Sequence, residues 1–173
     1  MSKSYLKGML HDSTERKYTY RISQNNKEFI KKLASMIRKM GFKSWIYEEG
    51  NRKIYVVEFG KKVLNGCKVE TKEEMKDYIR GYFDSEGSVP KSPEVRFYIY
   101  FAQQDKEDLE ELKGMLNKLG IQTGRLHRPS KKEDPEYWRF YISTKSHEKF
   151  ARKIGSWHPT KDQLLREMIQ STP

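Results

Sequence analysis

Two short runs end in acids that could act together. The first is Tyr78-Ile79-Arg80-Gly81-Tyr82-Phe83-Asp84-Ser85-Glu86-Gly87. Thr71 can cap a helix leading into it, with Glu74 three residues on as the capping-box partner. Met75, Ile79, Tyr82 and Phe83 fall on one apolar stripe at helical spacing. The helix therefore carries Asp84 and Glu86 in its last turn, where the macrodipole disfavours negative charge. One acid alone there would be a solvated helix end, but acids set against the dipole invite a bound cation. Gly87 is expected to end the helix in the left-handed region. Gly81 sits mid-helix, where glycine costs roughly 1 kcal/mol against alanine, so its use points to another backbone approaching closely.

The chain that must position these acids has 173 residues, 35% of them hydrophobic and 34% charged, enough for one domain or two small fused halves. No apolar run approaches the roughly 20 residues that a membrane-crossing helix needs, so no membrane partner is expected. Met1-Ser2-Lys3-Ser4-Tyr5 lacks the apolar stretch of a signal peptide, and Cys67 is the single cysteine. The expected location is therefore the cytoplasm, associated with the nucleoid, or an organelle, without secretion. Four scattered histidines show no metal-ligand spacing. The net charge of +11 and pI near 9.6 point to a polyanionic partner, and tyrosines interleaved with Arg and Lys favour nucleic acid.

An internal repeat decides the organisation. Gln24–Gly41 and Gln103–Gly120 are related at an offset of 79, with seven of eighteen positions identical. The same offset carries Tyr18, Tyr20 and Ile22 onto Phe97, Ile99 and Phe101, each set alternating with polar residues as a one-sided strand does. Helices are expected at about 27–40, 106–119 and 146–154, each of the first two stopped by a glycine. Further strands are expected at about 42–48 and 52–59 in the first half, and at about 121–128 and 136–143 in the second. Helices on one face of an antiparallel sheet make an α+β class, and the halves divide as residues 1–68 and 69–173.

A duplicated chain needs a second such helix near its start, and Tyr5-Leu6-Lys7-Gly8-Met9-Leu10-His11-Asp12-Ser13-Thr14 supplies it. Tyr5, Leu6 and Gly8 match Tyr78, Ile79 and Gly81 at an offset of 73. Glycines at equivalent positions, Gly8 and Gly81, predict two helices packed closely through them. Residues 78–87 resemble the LAGLIDADG motif of homing endonucleases, and residues 5–14 resemble a degenerate copy of it. The resemblance, to the compact, two-repeat, intron-encoded kind, covers nearly the whole chain. It implies two pseudo-twofold αββαββα halves whose antiparallel sheets form a DNA-binding saddle.

In that family the acids at the two helix ends share divalent metals in a DNA-cleaving centre. Glu86 takes the acid's place in the second motif. In strict register the first motif offers Ser13 there, with Thr14 as the closing residue. Either the helix is one residue shorter and Asp12 takes the place, or this half has lost its acid; we take Asp12 as the ligand. The resemblance implies Mg2+ held by Asp12 and Glu86, and a basic residue near the scissile phosphate. Lys72 and Lys161, from the matching Thr71-Lys72 and Thr160-Lys161 helix starts, are the candidates for that role. It further implies a monomer that cuts both strands of a long, partly palindromic duplex, leaving 3′ overhangs.

A two-stranded ribbon fits the major groove, where polar strand faces read base edges. The reading candidates are Lys17, Thr19, Arg21 and Arg52 in the first half. In the second they are Arg96, Tyr98, Tyr100, Arg125, His127, Arg139 and Tyr141. The damaged first motif leaves two alternatives on the same scaffold: a maturase that binds intron RNA, or a DNA-binding regulator that does not cut.

Overall fold

In the computed structural model, which describes residues 2–50, 53–92, 94–130 and 132–171, the two halves are recognisable as copies. The first runs α1 (Lys3–Met9), a 3-10 turn (Leu10–Asp12), β1 (Ser13–Glu15), β2 (Thr19–Gln24), α2 (Lys27–Lys39), β3 (Ser44–Glu49) and β4 (Ile54–Gly60). The second runs α3 (Lys72–Glu86), β5 (Gly87–Ser88), β6 (Tyr100–Gln103), α4 (Lys106–Lys118), β7 (Trp138–Tyr141), α5 (His147–Lys153) and α6 (Pro159–Ser171). Both sheets are antiparallel, ordered β1-β2-β4-β3 and β5-β6-β7.

Local chemistry sets the boundaries. Thr71 caps α3 and Glu74 returns the bond to the Thr71 N–H, completing the expected capping box. Asn26 and Asp105 cap α2 and α4 at repeat-equivalent positions. The expected continuous strand at 121–128 is reduced to two bridges, Thr123 to Ile142 and His127 to Arg139. Gly124, which leaves a gap in any side-chain ladder, lies between them. Gly87 also departs from expectation. Its φ of −80° is extended, and it opens β5. Glycine is needed there for space, because a Cβ would lie 2.1 Å from the Phe83 ring and 2.7 Å from the Phe83 carbonyl oxygen.

Each half has its own core: Ile22, Phe29, Leu33, Val57 and Phe59 in the first, Phe83, Phe101, Leu112, Phe140 and Phe150 in the second. The seam between them is α1 against α3. A Cβ on Gly8 would sit 2.1 Å from the Tyr78 carbonyl oxygen, and one on Gly81 would sit 2.0 Å from that of Tyr5. The contact is reciprocal, glycine to tyrosine carbonyl in both directions, as a twofold axis between the helices requires.

Candidate active site

Both helices run toward the same spot and end on an acid. At the end of α1 the chain tightens to a 3-10 turn over Leu10–Asp12. Three such residues rise about 6 Å, the height that four residues of α-helix would reach. Asp12 therefore arrives where residue 13 would stand in an α-helix. The sheet register agrees. Ser13 pairs with Ile22 and Gly87 with Phe101, and Ile22 and Phe101 are repeat equivalents. Ser13 is thus the counterpart of Gly87, and Asp12 the counterpart of Glu86. Ser13 is engaged otherwise, its hydroxyl donating to the Leu10 carbonyl at 2.7 Å.

The electrostatics couple the Asp12 charge to Glu86. Burial, and after it the Asp12 charge, push the Glu86 carboxyl up to about 7, while Lys161 and Gln103 pull it down. Asp12 keeps part of its surface in water, yet desolvation still raises its carboxyl, opposed by Lys161. Two hard-oxygen carboxylates that repel each other in a partly desolvated niche suit a divalent cation such as magnesium or calcium. Among the described residues no third His, Cys, Asp or Glu joins them, so water and a phosphate oxygen would complete the coordination. Asp12 and Glu86 are the residues that fit such an ion.

Lys161 reaches this centre, but its ammonium is occupied. It donates to the carbonyls of Phe83 at 2.7 Å, Asp84 at 3.0 Å and Gly87 at 2.7 Å, capping the end of α3 that bears Glu86. Burial outweighs the nearby acids and lowers it to about 8. Lys72 is the correction. It is the first residue of α3 and Glu86 the last, so roughly 21 Å of helix at about 1.5 Å per residue separates them. The matching Thr-Lys helix starts lie at opposite ends of the site's geometry.

Asp84, which the sequence reading sets beside Glu86 as an acid inviting a cation, is instead a buried hub, and Arg80 and Trp157 beside it escape that reading. Asp84 is fully buried and accepts from the Tyr5 hydroxyl at 2.6 Å, the Trp157 N–H at 2.9 Å and the Ser156 hydroxyl. Its burial raises the carboxyl, partly offset by these donors. Arg80 lies over the Trp157 ring and donates to the Ile154 carbonyl. Trp157 in turn packs against Tyr5 and the first core, so the segment after α5 ties the second half to the first. The signal for Asp84 was its spacing. Three residues past Gly81, it shares the face of α3 that meets α1. Across the axis His11 takes the mirrored place. Its Nε2 lies 2.7 Å from the Tyr78 hydroxyl and its Nδ1 3.2 Å from Asp108. Burial holds His11 below its usual value.

The two saddle faces differ in chemistry. In the second half Tyr98, Tyr100, His127, Arg139 and Tyr141 come together. The Tyr98 and Tyr100 rings stack at 5.6 Å, as do His127 and Tyr141 at 5.7 Å, and the Arg139 guanidinium lies 4.2 Å from the Tyr100 ring centre. The Arg139 Nε has no partner among the described residues. Arg96 and Arg125 are exposed; the Arg125 carbonyl lies 3.4 Å from His127 Nδ1, but neither guanidinium bonds to this cluster among the described residues. In the first half Arg21 is held by Glu49 at 2.6 Å and the Tyr47 hydroxyl at 2.8 Å, and Thr19 donates to Glu58 at 2.7 Å. Lys17 lies exposed over the Tyr18 ring. Arg52 falls outside the described residues.

Paired acid-bearing helices between two duplicated sheets define a two-repeat LAGLIDADG fold. A profile described as a LAGLIDADG-like domain matches residues 10–68 and 73–155, and the chain belongs to that family. It is 28% identical to the homing endonuclease I-ApeI of Aeropyrum pernix, over 95% of this chain and 86% of that one. It is 26% identical to the uncharacterized protein MJ0398 of Methanocaldococcus jannaschii, where it spans 64% of the relative's length. A structure of I-DmoI in complex with DNA and Ca superposes on 95% of this chain and 96% of its own, with a TM-score of 0.69 at 20% identity. Full-length DUF199/WhiA from Thermatoga maritima matches 99% of this chain and 60% of its own, with a TM-score of 0.73 at 15% identity. At such identities the structural likeness bears on fold alone.

Proposed function

We propose that this protein is a DNA endonuclease of the homing type, acting as a monomer on a long, partly palindromic duplex with Mg2+. The observation that carries this reading is the equivalence of Asp12 and Glu86 in sheet register, which gives each half one acid at the shared helix end. The likeness to I-ApeI, named a homing endonuclease, and to I-DmoI, solved with DNA and Mn and with DNA and Ca, supports it.

In this reading Asp12 and Glu86 would hold a divalent cation, which would supply positive charge against the charge developing on a phosphodiester under attack. Lys161 holds the α3 end still and tempers the repulsion between the acids, so the Glu86 carboxylate is aimed before substrate arrives. Asp84, through Tyr5 and Trp157, keeps the two helices in one register. The tyrosine-rich face around Arg139 reads bases in the second half, whereas Arg21 must exchange Glu49 for a base edge before it can read. Scission across the minor groove would leave 3′ overhangs.

The test is cleavage of a duplex selected from a random pool by binding, with and without magnesium, alongside Glu86→Gln and Asp12→Asn. Magnesium-dependent cutting of both strands, lost in Glu86→Gln and reduced to nicking or lost in Asp12→Asn, is expected. Tight duplex binding without any cutting by the unaltered protein would refute the nuclease and favour a regulator. Magnesium-independent preference for structured RNA would favour a maturase.

A further inference from the structure

The end of the first sheet carries a groove that the cleavage centre does not use. It has a volume of about 450 Å³ and lies where the β1–β2 turn, the start of β3 and the end of β4 meet. Tyr18 and Trp45 open onto it, 71% and 53% exposed, with Phe42 lining it beside them. Both are far more open than aromatic rings in a folded domain commonly are, and such a concentration marks a binding surface. Lysines make up most of the remaining wall, Lys17, Lys43, Lys61 and Lys62 beside Thr19 and Gly60, and among the described residues no carboxylate lines the groove. Lys61 is paired with Glu15, but Lys17, Lys43 and Lys62 form no salt bridge among the described residues.

We propose that this groove binds unpaired nucleotides, stacking their bases on Trp45 and Tyr18 while the lysines take the phosphates. Charge complementarity selects the occupant. An uncharged apolar partner would leave three unpaired ammonium groups at its edge, and an intact duplex hides its base faces in its own stack. A polyanion with free aromatic faces satisfies both walls, and stacking on aromatic rings beside cations is how single strands are held without sequence preference. The site belongs to one half only. Repeat equivalence carries Trp45 onto Gly124 and Tyr18 onto Phe97, which packs against the second core. It also lies at the other end of β1 from the acids: Asp12 directly precedes β1, and Tyr18 sits in the turn that follows it. The proposal concerns binding at this groove alone, so it stands whether or not the protein cuts.

The experiment is a titration of the whole protein with an oligothymidylate, an abasic strand of equal length and charge, an oligouridylate and a blunt duplex. Tryptophan fluorescence and the salt dependence of binding are followed together. The oligothymidylate should quench fluorescence, and the abasic strand should bind more weakly at the same salt slope. Trp45→Ala should weaken oligothymidylate binding by about five- to a hundredfold, as loss of one stacked base implies, and leave the abasic strand little changed. Tyr18→Ala should do the same to a smaller extent. Trp45 stands on an edge strand and outside both cores, so the variant should keep its melting temperature. The oligouridylate arm identifies the sugar: equal response means any single strand, and a stronger one means RNA. Equal binding of abasic and intact strands, or unchanged binding by Trp45→Ala, would overturn the proposal.

Discussion

Replacing Gly8 by alanine tests the seam on which the active site depends. The new Cβ would stand 2.1 Å from the Tyr78 carbonyl oxygen and 2.7 Å from the Tyr82 nitrogen. Nonbonded heavy atoms settle at about 3.5 Å, so α1 and α3 must part by more than about 1 Å. Both obstructing atoms are backbone, which leaves no side chain to swing aside. Overpacking of a rigid core costs about 1–3 kcal/mol, and the upper end is appropriate here. At about 2–4 °C per kcal/mol for a chain of this size, the melting temperature should fall by roughly 6–12 °C. Gly81→Ala should behave alike, meeting the Tyr5 carbonyl oxygen at 2.0 Å. The double variant should lose well under the sum, because one separation of the helices relieves both clashes. Gly114→Ala is the control. It too lies within a helix, α4, but its Cβ would meet nothing, so it should gain about 0.5–1 kcal/mol from helix propensity. Thermal unfolding followed by circular dichroism reads all four variants. Unchanged melting of Gly8→Ala, or simple additivity in the double variant, would show that the two backbones do not touch.

Glu86 should make stability depend on pH. With its carboxyl raised from 4.5 to about 7, the folded chain keeps a proton across that window that the unfolded chain has released. Stability therefore falls as pH rises from about 4.5 to 7. In buffer without divalent cations, Glu86→Gln should be more stable than the unaltered protein at pH 8 by about 1–3 kcal/mol, allowing for partial exposure, and little different near pH 4.5. Identical pH profiles in urea titrations would refute this. Lys161→Met removes the cation donating to three carbonyls and should cost about 2–3 kcal/mol, and Lys161→Arg, a longer fork in a fitted niche, should restore little. A melting temperature unchanged by Lys161→Met would contradict the capping role. Asp84→Ala strands the donors on Tyr5, Ser156 and Trp157 and should cost about 3 kcal/mol, read by the same melts, and a loss below about 1 kcal/mol would argue against the hub. Arg139→Ala should weaken duplex binding and relax selectivity at one base position by about 1–3 kcal/mol, measured by binding to a mutated target series. A uniform loss across all targets would make Arg139 a phosphate contact instead.

The duplication, the α+β class, the capped helix start at Thr71, the helices at about 27–40 and 106–119, and the paired glycines were all legible in the sequence. They rest on local rules: periodicity, capping chemistry and the cost of glycine inside a helix, each expressed within a few residues of its cause. The second acid was only half legible: the sequence offers Asp12 as the ligand, with a lost acid in this half as the alternative. Strict register pointed to Ser13, and only the 3-10 turn over Leu10–Asp12, with Ser13 paired to Ile22 as Gly87 is to Phe101, put Asp12 opposite Glu86. The two lysines make the same point. Thr71-Lys72 and Thr160-Lys161 read alike, yet one begins the helix that Glu86 ends and the other caps its far end. The state of the saddle was equally hidden, because Arg21 meets Glu49 across a sheet joined by residues distant in the chain. Local sequence determines which way a backbone turns. Which charges come to share a few ångströms is decided by how separate elements pack, and that sum exists only in three dimensions.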